Sequence, residues 1–114
     1  MDRQAALCRI LHVAELQREC GLTMRDVLTQ VQYLQWREHF EADDLLLLVE
    51  REPALVTQWQ AYSEDKRTAG GWYLQHDVLG RLDRMASRER WPTPAQATAH
   101  YIVRELDFWA GLGG

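Results

Sequence analysis

Apolar residues recur every three to four positions along most of the chain, which is the spacing of one face of an α-helix. The first such stretch runs to Cys20 and is followed by Gly21, a residue type that commonly terminates helices. The pattern therefore predicts a first helix that ends at Cys20. Its apolar positions are Ala6, Leu7, Ile10, Leu11 and Ala14.

A second helix is predicted to begin at Thr23, whose side chain can cap it. Asp26 follows three residues later, as in a capping box, and Leu22 and Val27 have the spacing of a hydrophobic staple. The apolar period then continues to about His39. Its members are Val27, Leu28, Val31, Leu34 and either Tyr33 or Trp36.

Two more helices are predicted before the glycine pair at 70–71. Asp43 and Asp44 place negative charge in the first turn of a short helix that ends at Arg51, where it favours the helix dipole. Residues 45–49 are also compatible with a buried strand, but their leucine content favours a helix. Pro53 suits the first position of the next helix. That helix carries Leu55, Val56, Trp59 and Tyr62 on one face.

The last part of the chain contains the sharpest helix start. Thr93 can cap, Pro94 suits the first helical position, and Gln96 completes a capping box. Residues 72–74 are either extended or the entry to a helix through Val78, Leu79, Leu82 and Met85. The final helix presents Ala95, Ala99, Ile102, Val103, Leu106 and Trp109. We therefore predict an all-α fold, a compact bundle of five or six helices in a single domain over residues 1–114.

Length and composition fit a small globular protein. A chain of 114 residues with 46% apolar and 26% charged residues can bury one core and differs from disordered compositions. Its longest purely aliphatic run, residues 45–49, is far too short for a membrane span, and the N-terminus has no apolar signal core. We therefore expect a cytoplasmic protein that does not enter a membrane.

The net charge of −4 comes from one stretch, residues 37–52, because acids and bases balance over the rest of the chain. Such a local asymmetry favours a charged protein partner. Residues 21–40 resemble a helix-turn-helix in outline, but Arg37 is the one base between Val27 and Phe40. Since base readout and phosphate contact need a basic surface, we expect no nucleic-acid partner. The acids of the stretch are Glu38, Glu41, Asp43, Asp44, Glu50 and Glu52.

Histidines next to carboxylates are the main candidates for catalytic or metal chemistry. The pairs are His12 with Glu15, His39 with Asp43, and His76 with Asp77. A di-iron carboxylate site would need a repeated Glu-x-x-His and further glutamates, which this chain lacks. The serines have no nucleophile-elbow pattern, and the two cysteines form no metal or redox motif. We therefore expect no metal, no cofactor and no enzymatic activity.

Residues 59–73 hold two acids, two bases and two hydroxyls between pairs of aromatic residues. In one interpretation the aromatic residues belong to the core and Lys66 and Arg67 complement a helix end. In the other, the turn is held by its own ion pairs and displays Arg67, Trp72 or Tyr73 to a partner. The segment YSEDKRTAGGWY, residues 62–73, resembles one found in small uncharacterised bacterial cytoplasmic proteins, some of them similar to immunity proteins of toxin systems.

That resemblance implies a small, acidic, non-enzymatic inhibitor that binds a toxin. The acidic stretch agrees with it, because nuclease toxins are commonly basic and opposite charge speeds capture. We therefore expect a protein-binding module, immunity-like, whose partner is a basic toxin domain, with self-association left open. The alternative is a helical domain that binds a small molecule or metal, with or without enzymatic activity. Candidate partner-binding residues are Glu38, Glu41, Asp43, Asp44, Asp65, Arg67, Trp72 and Tyr73.

Overall fold

A computed structural model of the protein describes residues 2–66, 70–82 and 88–112. In those ranges the chain forms seven α-helices, one 3-10 turn and three β-strands. In chain order they are α1 (Arg3–Leu11), α2 (Val13–Cys20), α3 (Met24–Gln30), α4 (Tyr33–Trp36), the 3-10 turn (Arg37–His39), α5 (Ala42–Arg51), α6 (Ala54–Asp65), β1 (Trp72–Gln75), β2 (Val78–Arg81), β3 (Arg88–Arg90) and α7 (Pro94–Trp109).

The prediction of an all-α bundle is wrong, because the chain also forms a three-stranded antiparallel sheet in the order β1-β2-β3. Leu74 pairs with Leu79, and Val78 pairs with Arg90 across the other side of β2. The helix predicted through Val78, Leu79 and Leu82 does not form. Val78 and Leu79 belong to strand β2, Leu82 follows directly after that strand, and Met85 lies outside the described residues. The extended alternative for residues 72–74 is confirmed.

The hairpin was not predictable from its own residues because its determinants lie elsewhere. Val78, Leu79 and Gly80 are all buried, so β2 shows no alternation of apolar and polar positions. His76 takes the left-handed conformation at φ 56°, which non-glycine residues seldom adopt. Gln60 of α6 holds that turn, donating to the carbonyl of His76 at 2.9 Å and accepting from its amide at 2.8 Å.

Local helix signals were more accurate. The capping role of Thr23 is confirmed, since its hydroxyl accepts from the amide of Asp26 at 3.1 Å, and Thr93 does the same for Gln96 at 3.1 Å. Residues 45–49 are helical, and Pro53 lies one position before α6 instead of within it.

Two predicted helices are each divided in the structure. The first is interrupted at His12, the residue between α1 and α2. The second is interrupted at Gln32, which has φ 58° and starts α4 in a new direction.

Helix α7 is the centre of the fold. It contacts α3, α5, α6 and the strands β1 and β2, while the sheet packs on α6 and α7. The largest fully buried side chains are those of Trp59, Tyr33, Tyr101 and Phe40, and they belong to one continuous apolar cluster. Within the described ranges, none of the helices has the length and apolar character required to cross a membrane.

Candidate functional site

Helix α5 presents a mixed acidic and apolar face to solvent. It buries Ala42, Leu45 and Val49 in the core, which turns the opposite side of the helix outward. Asp43, Leu47 and Glu50 lie on that outward side at spacings of four and three residues, and all three are exposed. The Leu47 side chain is 59% exposed between the two carboxylates. We call Asp43, Leu47 and Glu50 the acidic face.

The other acids of residues 37–52 have partners inside the protein. Arginines within 4.0 Å partly neutralise Glu41 and Asp44, and histidines, which carry charge only when protonated, lie against Glu38 and Glu52. Asp43 and Glu50 make no ion pair with any residue that the structure describes. Among the described residues, the two acids of this stretch that have no basic neighbour within 4.0 Å therefore both lie on the acidic face. The pairs are Glu38–His39 at 3.6 Å, Glu41–Arg37 at 3.9 Å, Asp44–Arg3 at 3.1 Å and Glu52–His12 at 3.1 Å.

Asp44 has a structural task at the start of α5. Its carboxylate accepts from the backbone amide of Glu41 at 2.8 Å, which closes the first turn. That hydrogen bond, with a smaller contribution from the guanidinium of Arg3, lowers the pKa of Asp44. Asp44 therefore stabilises the helix that displays the acidic face, and its carboxylate interacts with the Glu41 amide and the Arg3 guanidinium of the same protein.

A small hollow of about 280 Å³ adjoins the acidic face, between α5 and α7. Glu41 and Asp43 line it on one side and His100 and Arg104 on the other. Arg104 donates to both carboxylate oxygens of Glu89, so its charge is compensated.

The imidazole of His100 stacks on another aromatic ring. Its partner is Trp91, and the two ring centroids lie 3.9 Å apart. Burial and the charge of Arg104 lower the pKa of His100, which keeps the imidazole neutral near pH 7. The free charges around the hollow are therefore negative.

The segment 59–73 closes on a buried carboxylate that sequence reasoning missed. Glu105 of α7 is 0% exposed and accepts hydrogen bonds from several parts of the segment. Its Oε2 lies 2.7 Å from the Tyr62 hydroxyl and 2.7 Å from the Lys66 ammonium, and its Oε1 lies 2.8 Å from the Trp72 amide. Trp109, one turn further along α7, donates from Nε1 at 2.9 Å. The carboxylate thus joins α6, β1 and α7.

Lys66 extends this cluster to the glycine turn. Its ammonium also donates to the carbonyls of Gly70 and Trp72, both at 2.9 Å. Burial lowers the pKa of Lys66, while Glu105 acts in the opposite direction. Gly71 has φ 84°, and a Cβ there would lie 2.5 Å from Glu105 Oε1. The position therefore requires glycine, because the turn passes directly against the buried ion pair.

The aromatic residues of the segment differ in exposure. Trp59 is fully buried and donates to the carbonyl of Leu11 at 3.0 Å. Trp72 is half-buried, and the guanidiniums of Arg81 and Arg104 lie 5.5 Å and 5.1 Å from the centroid of its ring. Tyr73 is also half-buried.

The remaining partner-binding candidates of this segment are the charged residues Asp65 and Arg67. Asp65 is exposed at the end of α6, on a groove formed with α2 and α3. Arg67 lies outside the described residues.

The candidate histidines occupy three separate environments. His12 lies at the α1–α2 junction against Glu52, His39 packs edge-on against Trp36, and His76 forms the hairpin turn. Across residues 2–66, 70–82 and 88–112 there is no group of three or more histidine, cysteine or acidic side chains placed to hold a metal ion. Glu15 is exposed on α2, and Asp77 lies 4.0 Å from Arg90.

A second carboxylate of α7, Asp107, was also not singled out in the sequence. It accepts from the Tyr33 hydroxyl at 2.6 Å and from Arg37 Nε at 2.8 Å. Burial and the neighbouring Asp107 raise the pKa of Tyr33, so the phenol remains a donor. A sequence signal existed for Glu105, which lies three residues after Ile102 and four before Trp109 and so falls within the apolar stripe of α7.

Comparisons of the chain with protein-family models, curated proteins and solved structures found no match.

Proposed function

We propose that the protein is a non-enzymatic binding module that inhibits a basic protein, most concretely a bacterial toxin, in the cytoplasm. One observation carries the proposal: Leu47 is exposed on α5 between Asp43 and Glu50, the two acids of the stretch without an ion pair among the described residues. An exposed apolar side chain framed by unshared charge of one sign has the layout of a small interface centre with a charged rim.

The charge of this face determines the chemistry of the partner. Because Asp43 and Glu50 are free to interact with incoming cations, a surface rich in lysine and arginine is attracted to α5 at long range. The hollow beside the face, with Glu41 and Asp43 on its rim, suits one basic side chain of that partner. Leu47 then supplies the apolar contact that charge alone lacks. These features support capture of a basic protein and require no chemistry on the inhibitor.

The experiment compares capture and association by matched charge variants. A double variant, Asp43→Asn with Glu50→Gln, removes two charges from the acidic face. The control, Glu15→Gln with Glu19→Gln, removes two exposed charges from α2. Each protein is immobilised and exposed to lysate of the native host, and the retained basic protein is identified and purified for kinetic measurements.

We expect the association rate at low salt to fall about tenfold for the acidic-face variant, with a weaker dependence on salt, and to change little for the control. A third variant, Leu47→Ser, tests the apolar contact and should raise the dissociation rate. Equal association rates for the two double variants at both salt concentrations would exclude α5 as the docking surface. A captured protein that is acidic would contradict the proposed partner chemistry.

A further inference from the structure

A groove on a different part of the molecule has the composition of a ligand site. It encloses about 700 Å³ between α2–α3 and the C-terminal ends of α6 and α7. Met24 and the rings of Tyr62 and Trp109 line it, and Arg18 and Arg25 lie on the same wall as α2 and α3. Ligand pockets of this size are mostly apolar with a few charged or polar groups that orient the ligand.

The floor of the groove is apolar although polar residues build it. Tyr62, Lys66 and Trp109 direct their hydroxyl, ammonium and indole N–H to Glu105, at 2.7, 2.7 and 2.9 Å. These polar atoms are therefore occupied beneath the groove, which leaves ring surface and the aliphatic stem of Lys66 to line it. Since the Glu105 cluster also fixes the orientation of both rings, the floor is rigid before any ligand arrives.

The charged groups on the groove have a net positive sign. Arg18 and Arg25 are exposed, and neither side chain makes an ion pair or hydrogen bond with a residue that the structure describes. Asp65 lines the same groove but forms no ion pair with either arginine. Two unshared guanidiniums thus face one carboxylate, and guanidinium geometry suits a carboxylate, sulfonate or phosphate.

The apolar surface continues beyond Trp109. A second hollow of about 790 Å³ shares Arg25 and Trp109 with the first and extends along α3 to Tyr33 and Leu34. The Leu34 side chain there is 61% exposed. Arg25 and Trp109 line both hollows and therefore lie where the first hollow adjoins the second.

We infer that this groove binds an organic anion with an aromatic or extended apolar body. The body stacks on Tyr62 and Trp109, and the anionic group is held by Arg18 and Arg25. The inference is independent of the proposed inhibitor function, because the acidic face is on α5 and the groove is formed by α2, α3, α6 and α7.

The test uses 8-anilinonaphthalene-1-sulfonate as an anionic aromatic probe and N-phenyl-1-naphthylamine as its uncharged counterpart. Fluorescence titration gives the Kd of each probe for the wild type and for the double variant Arg18→Gln with Arg25→Gln. We expect the anionic probe to bind the double variant about tenfold more weakly, the loss typical of charge-assisted contacts, and the neutral probe to bind both proteins equally. The control is Arg88→Gln, an exposed arginine on β3.

A blocking variant locates the binding. Gln17 lines the groove, so Gln17→Trp fills it and should abolish binding of both probes, while cooperative thermal unfolding verifies that the fold is retained. The inference is overturned if the anionic probe binds the arginine variant as tightly as wild type. It is also overturned if Arg88→Gln weakens binding equally, or if a folded Gln17→Trp protein still binds the probe.

Discussion

The ammonium of Lys66 lies 2.7 Å from the carboxylate of Glu105, and the two side chains are 6% and 0% exposed. Buried charges are tolerated when they are paired and fully hydrogen-bonded. Glu105 meets this condition through Lys66 together with the Tyr62 hydroxyl, the Trp72 amide and the Trp109 indole. Removal of the carboxylate charge therefore affects three structural elements at once.

Glu105→Gln should destabilise the protein by about 3–5 kcal/mol, because it leaves the Lys66 ammonium buried without a compensating charge. Urea unfolding gives the free energy. Lys66→Met is the comparison, since it removes one donor and leaves three for Glu105; we expect it to cost less than Glu105→Gln. A Glu105→Gln protein within 1 kcal/mol of wild type would show that the pair is not buried as described.

Gly71→Ala should cost clearly more than Gly21→Ala. Both glycines have positive φ, 84° and 66°, so each substitution carries a backbone penalty of about 1–2 kcal/mol. A Cβ at Gly21 has no atom within 4 Å, whereas one at Gly71 meets the carboxylate and ammonium of the Glu105–Lys66 pair. The measurement is the midpoint of thermal unfolding, which should be lower for Gly71→Ala than for Gly21→Ala. Equal midpoints would contradict the close approach of the turn to the ion pair.

The pH dependence of stability should reveal the carboxylate of Asp44. Because its pKa is lowered in the folded protein, the unfolded state binds the proton more tightly. Its stabilisation is therefore present above the ordinary aspartate pKa of about 3.9 and is lost as the pH falls through the lower folded value.

Asp44→Asn should consequently be about 0.3–1 kcal/mol less stable than wild type at pH 7, a small value because the side chain is 40% exposed and solvent screens its charge. The difference should shrink below pH 4. Asp43→Asn, on the same turn, controls for the helix-dipole contribution. A difference that stays constant from pH 7 to pH 2 would refute the role of the charge.

Leu106→Ala should destabilise by about 2–5 kcal/mol, since Leu106 is fully buried in α7. Leu47→Ala makes the same chemical change on the exposed side of α5 and should stay within about 0.5 kcal/mol of wild type. Chemical denaturation of both variants measures the contrast. Similar losses for the two leucines would mean that Leu47 is covered in solution, which would also remove it from the acidic face.

Features that depend on neighbours within one helical turn could be predicted from the sequence. The Thr23 and Thr93 caps and the place of Asp43 and Asp44 in the first turn of α5 belong to this class, because the hydrogen bonds involved join residues three positions apart. The acidic face follows the same rule once α5 is known, since a helix with one buried side fixes which residues point outward.

The hairpin and the contacts of segment 59–73 could not be predicted, because they depend on hydrogen bonds between residues that are far apart in the sequence. The hairpin turn depends on Gln60, and the segment 59–73 depends on Glu105; neither partner is near in the sequence. The sequence assigns Trp72 equally well to the core or to an interface until the position of Glu105 is known. A single carboxylate on an apolar helix face indicates that Glu105 is buried and needs hydrogen-bond donors. The residues next to it in the sequence do not show which donors these are.

The position of Glu105 in the chain has a consequence for synthesis. The ribosome makes the hairpin before it makes α7, so Tyr62 and Lys66 emerge without their acceptor, and the strands emerge without the helix that covers them. The three-stranded sheet packs on both α6 and α7, so before α7 is made it lacks one of the two helices that cover it. A nascent chain paused before Glu105 therefore exposes unpaired strand edges and apolar side chains, the features that chaperones and proteases recognise. Completion of this fold is consequently tied to translation of α7.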